Sequence, residues 1–64
     1  MPEHTAKDYA ALLWGMTGVV RQVSTERTRL GWVVHVQTKD GSEKTIDGRY
    51  SMLTFMKAHL SRWH

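Results

Sequence analysis

Apolar positions recur along this chain first at helical spacing, then in alternation, then at helical spacing again. Tyr9, Leu12, Leu13 and Met16 fall three or four residues apart, the spacing that lines one face of an α-helix. Thr5 and Asp8 stand in the positions of a capping box ahead of that run, and Gly15 suits a C-terminal cap. The pattern predicts a short helix over residues 6–14, with the apolar set turned to the core.

Past Gly18 the period changes. Val19, Val20 and Val23 form a short β-branched cluster that reads as a strand over residues 19–23, while the polar residues 24–28 read as a loop. Residues 30–36 carry the clearest strand signal. Leu30, Trp32, Val34 and Val36 share one face, and Gly31, Val33, His35 and Gln37 share the other. Asp40-Gly41 marks the next turn, and the register across it can be argued. A two-residue loop would set Ile46 opposite His35 on the polar face. A three-residue loop with Gly41 in the left-handed bulge position sets Ile46 opposite Val34. Only the second buries Ile46, so the third strand is expected over residues 43–47.

Gly48 closes the sheet, and Ser51 is a candidate N-cap for a second helix over residues 52–63. Met52, Leu53, Phe55, Met56, Leu60 and Trp63 form its apolar stripe, and Arg62 near its end complements the helix dipole. The expected fold class is therefore α+β. It is a small α-β-β-β-α domain whose three-stranded antiparallel sheet has both helices packed on one face and a polar face left open.

Length and composition narrow the picture further. A chain of 64 residues has room for one domain, expected to be complete over residues 1–64, and buries only about 60% of its unfolded surface. It contains no cysteine, so disulfides, thiolate metal sites and thiol nucleophiles are all excluded. That fits a cytoplasmic protein better than a secreted one. Stability must come from the aromatic and β-branched core or from self-association. No apolar stretch approaches the roughly 20 residues that span a bilayer, and no basic leader precedes residues 9–20. No membrane partner is expected.

Catalysis finds no footing. The chain has no phosphate-binding glycine loop, no nucleophile elbow and no paired-histidine metal motif. Its histidines are His4, His35, His59 and His64, none of them at the i, i+4 spacing of a helical metal site. We read the protein as a non-enzyme with no catalytic residue, no metal and no cofactor.

Binding chemistry is present in two forms. The open sheet face should carry Gln22 or Arg21 with Val33, His35, Gln37, Glu43 and Thr45. Arg27 and Arg29 flank it at one hairpin, Lys39 and Lys44 at the other, and Arg49 precedes the last helix. Long polar side chains on a sheet can read base edges while loop cations meet phosphates. Arg27, Arg29, His35, Gln37, Lys39 and Lys44 are the candidate nucleic-acid contacts of that reading. Nine basic against six acidic residues give a net charge of only +3, however, well short of a dedicated nucleic-acid stripe.

The stretch Trp32-Val-Val-His-Val-Gln-Thr-Lys-Asp-Gly41, followed by Gly48-Arg-Tyr-Ser-Met-Leu-Thr-Phe-Met-Lys-Ala-His-Leu60, resembles the strand-and-helix domains of tyrosine-recombinase arm-binding modules. Plant ethylene-response-factor DNA-binding domains share that plan. In both families the sheet enters the major groove, so the resemblance implies DNA binding through the sheet. The α-β-β-β-α order is also similar to that of the double-stranded-RNA-binding domain. That family places a lysine cluster at the start of its final helix, where this chain has Tyr50-Ser-Met-Leu-Thr54, with Lys57 following later.

The other form is an aromatic surplus. Three tryptophans, two tyrosines and one phenylalanine exceed what so small a core can enclose, and Trp14, Trp32, Trp63 and Tyr50 cannot all be buried. Tryptophan, tyrosine, methionine and arginine are the residue types enriched at protein interfaces. With the charge so modest, the favoured reading is a small protein, encoded by a phage or other mobile element, that binds and inhibits a host protein. Tyr50, Trp63 and Arg49 are its candidate contacts, and homodimerisation would bury the same surplus.

Overall fold

The computed structural model describes residues 1–60, with the backbone alone of Leu60. Helix α1 (Glu3–Trp14) is followed by strands β1 (Val20–Thr28), β2 (Gly31–Thr38) and β3 (Glu43–Ile46), and then by helix α2 (Arg49–Leu60). The strands form one antiparallel sheet in the order β1-β2-β3, as the sequence predicts.

Helix α1 begins three residues earlier than expected. Pro2 takes the N-cap position with extended backbone and no side-chain cap, and its carbonyl accepts the first helical bond, from Ala6 N at 3.1 Å. Thr5 consequently lies inside the helix, so the Thr5–Asp8 capping box does not form. Glu3 supplies the first-turn negative charge and meets Lys7 one turn later, at 3.3 Å. Ala6, Leu13 and Met16 are buried and Tyr9 is partly so, but Leu12 turns outward.

Strand β1 corrects the sequence reading most. Residues 24–28, expected as a loop, continue the strand and pair with β2 from Ser24↔His35 to Thr28↔Gly31. The register shifts between Val20 and Gln22, so Arg21 is the extra residue of a bulge. A regular strand would turn Val20 and Val23 to opposite faces, and the bulge brings both inward. It also settles that Gln22 rather than Arg21 joins the open face.

The hairpin between β2 and β3 follows the three-residue loop. Thr38 N donates to Ser42 O at 2.9 Å, Gly41 N to Thr38 O at 3.1 Å, and Gly41 takes φ +92°. Asp40 holds the turn by accepting from Ser42 N at 3.0 Å and from the buried Thr38 hydroxyl. Val34 therefore lies opposite Ile46. Leu30, expected on the buried face, sits in the β1–β2 turn and is 97% exposed. The backbone is committed there: Gly31 has φ +120°, and Trp32 N donates to Met1 O at 2.8 Å.

Helix α2 starts at Arg49, and Ser51 lies within it instead of capping it. The Ser51 hydroxyl donates to Asp47 Oδ1 at 2.5 Å. Met52 and Phe55 enter the core and Met56 packs against it, while Leu53, assigned to the stripe, is exposed. One core joins Ala6, Leu13, Met16, Val19, Val20, Val23, Val34, Val36, Ile46, Met52 and Phe55. Both helices meet the sheet through it, α1 across β1 and β2 and α2 along β3.

Candidate partner-binding surfaces

Two surfaces remain outside this core. The first is the open face of the sheet. Strand alternation places Gln22, Ser24 and Glu26 of β1, Val33, His35 and Gln37 of β2, and Glu43 and Thr45 of β3 together on it. His35 occupies its centre. Its Nε2 lies 2.7 Å from Glu26 Oε1 and its Nδ1 lies 3.2 Å from Thr45 Oγ1. With the proton on Nε2, the ring donates to Glu26 and accepts from the Thr45 hydroxyl. A side chain of each strand thus meets on the outer face. Beside them Gln22, Ser24, His35, Gln37, Glu43, Lys44 and Thr45 line an open depression of about 380 Å³.

Of the cations expected to accompany this face, Lys44 alone lines its depression. Arg27 is paired with Trp32, on the side of the sheet that faces the core, and Arg29 is exposed in the adjoining turn. Lys39 lies at the other end of β2, beyond Thr38. Six residue steps separate Trp32 from Thr38, roughly 20 Å at strand rise. Lys44 pairs with Val36 and so belongs to the core-side face of β3, where it is exposed. His35 and Gln37 are the expected site residues that the fold does bring together. Glu26 was missed because its segment has no apolar alternation. The β-branched Thr25 and Thr28 were the signal for a longer strand.

The second surface lies between β3 and α2. Lys44, Thr45 and Ile46 form one wall of a groove of about 290 Å³, and Tyr50, Ser51, Thr54, Phe55, Ala58 and His59 form the other. Tyr50 stands at its rim, 84% exposed. The Phe55 and His59 rings pack with centroids 4.4 Å apart. His59 Nδ1 is buried and finds no hydrogen-bond partner among the described residues. Leu53, one turn along α2 from Tyr50, is 56% exposed. Leu12 and Trp14 of α1 also expose about half or more of their surface. Arg49 opens α2 and is exposed, and Trp63 lies outside the described residues.

Among the described residues, no group of three or more His, Cys, Asp or Glu side chains could hold a metal ion. No described helix is long and apolar enough to cross a membrane. No family model, curated protein or solved structure matches the chain.

Proposed function

We propose that this protein is a non-catalytic binding module, acting in the cytoplasm, that docks on a host protein through the surface around α2 and blocks it. The observation that carries this reading is the exposure of Tyr50 on the wall of the groove between β3 and α2, with Leu53 also exposed one helical turn along. A partner that covers such apolar side chains gains the free energy of removing their surface from water. Tyrosine is among the residue types enriched as interface anchors.

Electrostatics weigh against the nucleic-acid alternative. The open sheet face that would enter a groove carries the carboxylates of Glu26 and Glu43. Its would-be phosphate contacts, Arg27 and Arg29 against Lys39, stand at opposite ends of β2. Those two carboxylates, on either side of His35, repel a phosphate backbone laid across the face.

The test is capture of interacting molecules from the native host with wild-type protein and with Tyr50→Ala. A stoichiometric protein complex lost in Tyr50→Ala supports the reading. Retention of nucleic acid in place of protein, unchanged by Tyr50→Ala, overturns it.

A further inference from the structure

Hydrogen-bond direction along β2 identifies which groups of β3 are left without a strand partner. Trp32 N bonds Met1 O and Thr38 N bonds Ser42 O, so the even-numbered residues of β2 direct their backbone groups away from β1. Strand alternation extends this to Val34 and Val36, whose partners are Ile46 and Lys44. Ile46 and Lys44 therefore bond inward to β2. Glu43 and Thr45 present their N–H and C=O groups outward, at an edge that no further strand covers among the described residues.

That edge borders the groove whose opposite wall is α2. A strand edge facing a helix across a narrow groove is the arrangement by which domains take up extended peptides, with main-chain bonds for affinity and side-chain pockets for specificity. The lining supplies such a pocket in Ile46, Phe55 and Ala58. It also holds His59 Nδ1, buried and without a partner among the described residues, which a ligand group would satisfy as donor or acceptor according to the tautomer.

Charge selects among occupants. Lys44 lines the groove, and among the described residues no carboxylate lines it. A second copy joined edge to edge would bring two copies of Lys44 onto one small surface, in chains already carrying +3 each. A lysine turned to the core side of an edge strand is a known guard against such pairing. A carboxylate-bearing segment meets the opposite situation.

Resting on the protein-binding reading above, we infer that the groove takes an extended acidic peptide segment of the partner as a fourth strand beside β3. One apolar side chain of the segment seats against Phe55 and Ala58, and a carboxylate lies at Lys44.

The test is selection of a displayed random dodecapeptide library on the immobilised chain, followed by titration of an enriched synthetic peptide. Expected are acidic sequences with alternating apolar residues, and slowed exchange of the Thr45 amide on binding. Lys44→Glu should weaken binding at least tenfold. Thr45→Pro, which removes an outward N–H and leaves the inward bonds of β3 in place, should abolish it, its melting profile confirming the fold. Enrichment without acidic bias, or an amide footprint on the open sheet face, overturns the inference. So does edge-to-edge assembly of two copies. Peptide binding lost in Tyr50→Ala but kept in Thr45→Pro would retain the protein-binding reading and remove strand addition. Loss of neither would remove both.

Discussion

Val34 and Ile46 stand directly opposite each other on β2 and β3, and both are almost completely excluded from water, at 0% and 1% exposure. A slip of one residue in this pairing would turn Ile46 to the open face with His35. The pair therefore fixes the register of the second hairpin. Val34→Ala and Ile46→Ala should each destabilise by about 1–4 kcal/mol. Val33→Ala, on the open face, should cost less than about 1 kcal/mol. Denaturant titration gives all three, and equal losses at Val33 and Val34 would contradict this register.

The two hairpin glycines are not equivalent. Gly41 has φ +92° with open space around it, whereas a Cβ on Gly31 would meet Met1 N and O at 3.1 Å. Both alanine variants incur left-handed strain, about 1–2 kcal/mol. Gly31→Ala should lose more, because it also forces apart the Met1–Trp32 backbone pair. Thermal melts of the two variants should rank Gly31→Ala lower, with exchange of the Trp32 amide accelerated in that variant alone.

Self-association is open to the same anchors. With no partner present, Tyr50 and Leu53 can be covered by a second copy meeting α2, and mass action then stabilises the folded chain. The melting temperature should rise with protein concentration, and Leu53→Ser should remove that dependence. Light scattering that gives a monomer mass at high concentration, with a constant melt, would exclude the dimer.

Duplex DNA provides the contrast. At physiological salt its retention should be weak and barely altered by replacing Arg27, Arg29 and Lys39 with alanine. Removing the carboxylates with Glu26→Ala and Glu43→Ala should strengthen it. Each phosphate contact contributes a slope of about −0.9 in log affinity against log salt. Micromolar binding in wild type with a slope that the triple variant flattens by nearly three such units would favour the nucleic-acid reading.

Local chemistry determined much of this protein by itself. Helical spacing around Leu13 and around Phe55, the alternation through Val34 and Val36, and the glycine of the second hairpin are written in neighbouring residues. They suffice for the element order and for the Val34–Ile46 register. What the sequence left undetermined depends on partners distant in the chain. The segment 24–28 is a strand because β2 offers it a ladder of backbone bonds, and its own side chains give no period. Leu30 faces solvent because the backbone of Met1 claims Trp32 and holds the turn at Gly31. Leu12 and Leu53 lie at the margins of apolar stripes, where the position of the sheet and not the helical period decides what is covered. The groove at the edge of β3 exists only once α2 has docked beside that strand, so no run of neighbouring residues announces it.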